Sequence, residues 1–288
     1  MKIGSLFAGI GGIELGFKKA GFKTAWAVEL DEKACITYKA NHKHKIINQD
    51  LAKVDLKSLS KIDILTAGFP CQAFSVAGYR KGFNDERGNV FFEILRYLKH
   101  FKPEIIFLEN VKNLFKHDEG RTFSTIKKEL EKLGYHIKFQ ILNTCEYGNI
   151  PQNRERIYIV GFLDFNQFEV FNFPAKKKLT NKINDLLEKE VEKDFYYTKH
   201  KYYKQLKQDM KSKETLYQWR RHYVRENKNN LCPTLTANMG TGGHNVPLVL
   251  ADDIRKLTPR ECARFQGKDL MMILFCQMNF QKLHFINK

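Results

Sequence analysis

The order of apolar runs over residues 1–162 most restricts what this chain can fold into. Lys2–Phe7 is strand-like and ends in Ala8-Gly9-Ile10-Gly11-Gly12, before a helical run from Ile13 to Ala20 closed by Gly21. Thr24–Leu30 reads as a second strand, Glu32–Ala40 as a second helix and Asp63–Ala67 as another strand. Phe91, Leu95, Leu98 and Phe101 recur at helical spacing. Pro103 stops that helix, and Glu104–Leu108 reads as a buried strand. Phe123, Ile126, Leu130 and Leu133 form another helical stripe, with Gly134 as its cap. His136–Leu142 and Arg156–Phe162 are the last clear strands. Repeated strand–helix–strand units make right-handed crossovers that cover both faces of one sheet. The expected fold class is α/β, a doubly wound, mostly parallel sheet with a second, smaller, irregular domain.

The character changes after Phe162. Between Ala175 and Asn230 there are 16 Lys/Arg against 8 Asp/Glu, and periodicity is weak. Lys199-His200-Lys201-Tyr202-Tyr203-Lys204 and Tyr217-Gln218-Trp219-Arg220-Arg221-His222-Tyr223 interleave bases with aromatics. That texture suits phosphate and base contact, although a solvated basic face over packed aromatics looks the same. The whole chain carries a formal charge of +17 in 288 residues, which favours a polyanionic partner. No run of 18 apolar residues exists, so no membrane span is expected. Met1 leads directly into a strand, so no secretory signal is expected. The six cysteines are scattered and form no C-x-x-C pair. Neither a metal site nor a disulfide framework is expected, and a reducing cytoplasm fits.

Against that frame stands Gly68-Phe69-Pro70-Cys71-Gln72-Ala73-Phe74-Ser75, following the apolar run Ile62–Ala67. It puts a thiol at the carboxyl end of a parallel strand, where open α/β sheets carry their chemistry. A polar stretch from Val76 to Asn89 follows, with three glycines, and reads as a loop. A lone cysteine is more often a small buried hydrophobe, but this one has companions. The glycine turn after the first strand lets a cofactor approach the backbone and the helix N-terminus, though a tight turn needs glycine without any ligand. Glu29, ending the next strand, offers a carboxylate to ribose hydroxyls. Asp50 is placed to meet an adenine edge in the same manner. Glu109-Asn110-Val111 puts an acid at another strand end, beside the thiol. Gln152-Asn153-Arg154-Glu155-Arg156 sends two alternate arginines into a strand, where they present fork donors to a phosphate or carbonyl.

In this order, and with Arg255-Lys256-Leu257-Thr258-Pro259-Arg260-Glu261 through Gly267 behind them, these motifs resemble the C5-cytosine-specific DNA methyltransferases of bacterial restriction–modification systems. The resemblance spans nearly all of residues 1–267. It implies S-adenosylmethionine as the cofactor, held by Phe7, Gly9, Ile10, Gly11, Glu29, Leu30, Asp50, Leu51 and Pro70. It implies that Cys71 adds to cytosine C6, that Glu109 hydrogen-bonds or protonates N3, and that Arg154 and Arg156 hold the base and its phosphate. A free thiol has a pKa of ~8.5, so the site must favour the thiolate. The base must leave the stack, at a cost of a few kcal/mol. Gln72, Ser75 and the loop through Arg87 are expected to close over DNA. Thr234 and Leu235 match a Thr-Leu signature of the recognition domain, and the Ala237–His244 loop is expected in the major groove.

The implied layout is a catalytic, cofactor-binding domain over 1–162 and a target-recognition domain with a return segment over 163–267. Implied partners are double-stranded DNA and a restriction endonuclease acting on the same site; a bacterial, cytoplasmic monomer is expected. The tail 268–288 departs from the resemblance, which implies a Gly-Asn-Ser/Ala-Val motif that this stretch lacks. Reading its permitted codons from their third base restores Gln-Gly-Phe and arrives at Tyr-Lys-Gln, so a frameshift near Gly267, and with it an inactive DNA-binding remnant, is one expectation. RNA cytosine methylation by the same chemistry is a rival. A nicotinamide-dependent dehydrogenase is another, but it explains neither Cys71 nor the paired arginines.

Overall fold

The structure, a computed structural model, describes residues 1–70, 89–236, 239 and 244–267. They divide into two compact units. One holds Met1–Leu142 and Glu155–Pro174; the other holds Asn143–Arg154 and the described residues from Ala175 onward.

The first unit is built on a seven-stranded sheet in the order β3-β2-β1-β4-β5-β7-β6. Its strands are β1 (Lys2–Leu6), β2 (Lys23–Glu29), β3 (Lys45–Asn48), β4 (Ile64–Gly68), β5 (Ile105–Val111), β6 (His136–Asn143) and β7 (Glu155–Phe162). Pairing is parallel from β3 through β5, and β7 runs antiparallel to β5. The chain moves outward from β1 to β3, then returns to place β4 on the other side of β1. The turns after β1 and β4 therefore part at the carboxyl ends of neighbouring strands, and such a switch point opens a crevice for ligands.

The helices α1 (Gly12–Lys19), α2 (Glu32–Asn41), α3 (Asn89–Phe101) and α4 (Arg121–Lys132) fall where helices were expected, the last two along their apolar stripes. Phe91, Leu95 and Leu98 of α3 are buried together with Ile94 and Tyr97, so two adjacent rows of that helix face the core. Trp26 of β2 packs on Tyr97 and Phe101 of α3, and its Nε1 donates to the Ser60 carbonyl at 2.9 Å. Gly134 ends α4 with φ 91°, and its N–H donates to the Glu131 carbonyl at 2.9 Å. That is the left-handed stop its position predicted. The strand β3 was not among the sequence expectations; four residues at a sheet edge are too few to show periodicity.

Between β6 and β7 the chain leaves to form α5 (Thr144–Tyr147), which belongs to the second unit, and α6 (Phe165–Val170) follows β7. A division after Phe162 was expected, yet the first unit runs on to Pro174 because Phe171 packs against Phe162 with ring centroids 5.1 Å apart. Residues 143–154 join the second unit through backbone bonds to Cys232: its N–H donates to the Pro151 carbonyl at 2.7 Å, and its carbonyl accepts from Asn153 at 2.9 Å.

The second unit is less irregular than its sequence. It contains an antiparallel sheet in the order β11-β10-β8-β9, from β8 (Leu216–Arg220), β9 (Tyr223–Glu226), β10 (Pro247–Leu250) and β11 (Ile254–Lys256). The helices α7 (Tyr203–Asp209) and α8 (Pro259–Phe265) complete it. Thr258 caps α8 by accepting from the Glu261 N–H at 3.1 Å, while Glu261 accepts from the Thr258 N–H at 2.8 Å. The Arg255 guanidinium grips the same carboxylate through two bonds of 2.8 and 2.7 Å, with both side chains buried. Among the described residues, no helix is long and apolar enough to cross a membrane.

Candidate active site

Two clusters of expected site residues lie at the carboxyl end of the central strands. The first surrounds the turn after β1. Phe7, Gly9 and Gly11 all have positive φ, at 54°, 56° and 92°. Glu29, the last residue of β2, holds this turn. One carboxylate oxygen accepts from the Gly9 N–H at 2.7 Å, and the other accepts from Leu30 and Asp31 at 2.8 and 2.9 Å. A carboxylate has about four acceptor sites, so capacity remains for a hydroxyl of a bound nucleoside. A Cβ added at Gly9 or Gly12 would meet nothing among the described residues within 4 Å. Ile10 and Leu30 flank the open turn and are exposed. An open glycine backbone, a carboxylate and two unburied apolar side chains suit S-adenosylmethionine, with its ribose diol and flat adenine.

Asp50 and Leu51 follow β3. Asp50 accepts from the Ala52 N–H at 2.9 Å, capping a short 3-10 turn. The Leu51 side chain is buried in the main core, and its carbonyl accepts from Arg96 and Tyr97. Any ligand contact by Leu51 is therefore restricted to its backbone.

The second cluster joins β4, β5 and β7. Glu109 pairs with Gly68 across β4 and β5, and a Cβ on Gly68 would lie 3.5 Å from the Glu109 carboxylate. Arg156 of β7 holds that carboxylate through Nε at 2.9 Å, and its Nη1 donates to the Glu155 carbonyl at 2.8 Å. Asn110, buried beside Glu109, donates from Nδ2 to the Phe69 carbonyl at 2.9 Å. Its Oδ1 accepts from the Val111 N–H at 2.8 Å. The backbone is thus pinned one residue before Pro70, which is exposed, where the strand ends. Cys71, Gln72, Ser75 and Arg87 lie outside the described residues. So do most of the Ala237–His244 loop and the tail 268–288.

In the second unit, Arg154, Thr234 and Leu235 come together. The Thr234 hydroxyl donates to the Asn153 carbonyl at 2.7 Å, and Arg154 Nη1 donates to the Leu235 carbonyl at 3.4 Å. The Leu235 side chain is buried with Ile183, Cys232 and Phe265. The two alternate arginines fall in different units, because the boundary passes between Arg154 and Glu155.

A family model described as C-5 cytosine-specific DNA methylase matches residues 1–275. The chain belongs to this family. Its reaction is methyl transfer from S-adenosylmethionine to C5 of cytosine in DNA. Among relatives, the type II methyltransferase M.Bsp6I of Bacillus sp. (strain RFL6) is 57% identical over 274 residues, covering 93% of this chain and 87% of that protein. The type II methyltransferase M.DsaV of Dactylococcopsis salina is 39% identical over 273 residues, covering 93% of this chain and 76% of its own length. The crystal structure of the S. pombe Dnmt2 methyltransferase matches with a TM-score of 0.69 at 20% identity, covering 100% of this chain and 97% of that one. That likeness fixes the fold of this methyltransferase as Rossmann-like.

Three residues of this C5 methylase escaped the sequence reading. Asn110 sat inside a quoted motif, but its grip on the Phe69 carbonyl needs the register of two strands. Glu14, in α1, is fully buried, and no hydrogen bond of ordinary geometry reaches either carboxylate oxygen among the described residues. Burial pushes its pKa up to about 7, the Ser5 hydroxyl offsetting a part and the nearby Glu29 adding to the rise. A charged residue on the apolar side of a helix was the available signal. His42 lies directly against Gly11, in a polar run with no periodicity to mark it.

Proposed function

We propose that this methylase works through Cys71 as a covalent nucleophile, with Glu109 and Arg156 as the groups that receive the flipped cytosine. The observation that carries the reading is the Glu109–Arg156 pair beside Gly68, at the strand end that leads through Pro70 to Cys71. S-adenosylmethionine, when bound, supplies the electrophilic methyl group. The thiolate of Cys71 adds to C6 and makes C5 nucleophilic. Glu109 meets N3, where the added electron density would otherwise build up, and Arg156 keeps the carboxylate aimed. Loss of the C5 proton and of Cys71 then releases 5-methylcytosine. Asn110 holds the backbone at Phe69, two residues before Cys71 in the sequence. Glu29 orients the glycine turn and binds ribose hydroxyls, with Phe7, Ile10, Leu30, Asp50 and Pro70 around the nucleoside.

The second unit serves as the target-recognition domain, supported by its excess of Lys/Arg over Asp/Glu. Arg154 and Thr234 brace its entry segment, and Gln72, Ser75 and Arg87 close on the duplex. The substrate is double-stranded DNA with a short specific sequence, methylated by a monomer. A restriction endonuclease reading the same sequence completes the system, supported by the type II methyltransferase relatives.

The covalent step is tested with duplex DNA carrying 5-fluorocytosine, whose fluorine blocks the final elimination. Wild-type protein is expected to form a denaturation-resistant adduct in the presence of S-adenosylmethionine, and Cys71→Ser none. An adduct of equal yield with the serine variant would remove Cys71 from this role.

A further inference from the structure

We infer that the buried ring of His42 is a positioning residue that holds the glycine turn in the shape S-adenosylmethionine enters, which rests on the reading of that turn as the cofactor's cradle. His42 follows α2 and is only 7% exposed. Its ring lies on Tyr38, with centroids 4.5 Å apart. Tyr38 is fully buried in a small core with Ala8 and Ala27, and its hydroxyl meets His44 Nε2. The opposite edge of the His42 ring reaches the turn. A Cβ on Gly11 would lie 2.1 Å from His42 Nε2 and 2.6 Å from its Cδ2. The Nε2 edge of the ring therefore faces the Gly11 backbone, while Nδ1 is buried without a partner among the described residues. Burial, with Lys18 nearby, holds the His42 pKa below its ordinary value. The ring is therefore neutral at neutral pH and brings no charge to the turn.

The turn needs such a support. Three of its five residues from Phe7 to Gly11 have positive φ. Glycine reaches that region freely, but it reaches many others as freely. Glu29 fixes one side through the Gly9 N–H. His42 fixes the other, as a flat ring packed where a side chain at Gly11 would have to lie. Its effect on affinity comes from preorganisation, since a turn already in its bound shape loses less freedom on binding.

The test uses the full chain, with S-adenosylmethionine affinity from calorimetry and steady-state KM for each substrate. His42→Ala removes the ring that packs on Gly11 and Tyr38. It should weaken S-adenosylmethionine about fivefold, because the turn must then be ordered on binding. Both kcat and KM for DNA should stay within about twofold. His42→Phe, which keeps a flat ring in the same place, should recover most of the loss. If the Ala variant folds poorly, His42→Ser replaces it with the same expectation. Affinity within twofold of wild type for the small variant, or equal losses for it and Phe, would overturn the inference. Gly12→Val separates it from the reading beneath it, because Gly12 has no positive φ and a side chain there enters open space beside the turn among the described residues. If Gly12→Val leaves affinity unchanged, the cradle itself is misplaced. If it weakens binding while His42→Ala does not, only the role of His42 falls.

Discussion

Replacing Glu14 with Gln should make this methylase more stable at pH 8 than at pH 5, relative to wild type. Glu14 is the third residue of α1, fully buried, with no hydrogen bond of ordinary geometry to either carboxylate oxygen among the described residues and only a partial offset from the Ser5 hydroxyl. A helix N-terminus favours an anion by about 0.3–1 kcal/mol, but desolvation wins here and raises the carboxyl from 4.5 to about 7. Below pH 4.5 the folded and unfolded chains both hold this proton. Between pH 4.5 and 7 the unfolded chain ionises first, so stability falls as pH rises, and the loss levels off above the folded pKa. At ~1.4 kcal/mol per pH unit, the full loss is about 3 kcal/mol. Glutamine has no proton to lose and nearly the same shape. The stability difference between variant and wild type should therefore grow by about 3 kcal/mol from pH 4.5 to 8, or on the order of 5 °C in melting temperature for a chain of this size. Paired urea titrations across that range read the difference directly, and other titrating groups cancel between the two proteins. A difference that does not change with pH would mean that the carboxylate has a partner or reaches water, and the desolvation argument would fail.

Two further substitutions probe the frame around the site. Asn110→Ala leaves the buried Phe69 carbonyl without its donor; it should cost about 1–3 kcal/mol and lower kcat more than it raises KM for S-adenosylmethionine, as steady-state kinetics would show. In the second unit, Glu261→Leu strands the buried Arg255 charge and should cost about 3–5 kcal/mol in chemical denaturation. Arg255→Met with Glu261→Leu should recover a large part of that loss.

The sequence carried the first unit well, because its information is local. Buried parallel strands are unbroken apolar runs, and α3 and α4 keep a regular stripe, so Phe91, Leu95, Ile126 and Leu130 all fall in the core. The placement of Glu29 and Glu109 was legible because each follows an unbroken apolar run towards the carboxyl end of its strand, although β5 continues two residues past Glu109. What pairs with them was not: Arg156 reaches Glu109 through antiparallel pairing of β5 with β7, a contact with no local signature. The second unit hid its sheet for a related reason. Tyr217 and Gln218 are adjacent in β8 and both buried, so the alternation that marks a one-faced strand is missing. Leu235 matched a recognition signature, yet its side chain packs inward, and only backbone geometry tells those uses apart.

Bisulfite sequencing of double-stranded DNA incubated with this protein and S-adenosylmethionine tests the central claim most directly. Methylated cytosines should appear at one short recurring sequence with wild-type protein, and none should appear with Cys71→Ser. Unmodified DNA from the folded, S-adenosylmethionine-binding wild-type chain, or equal methylation by the serine variant, would contradict the account.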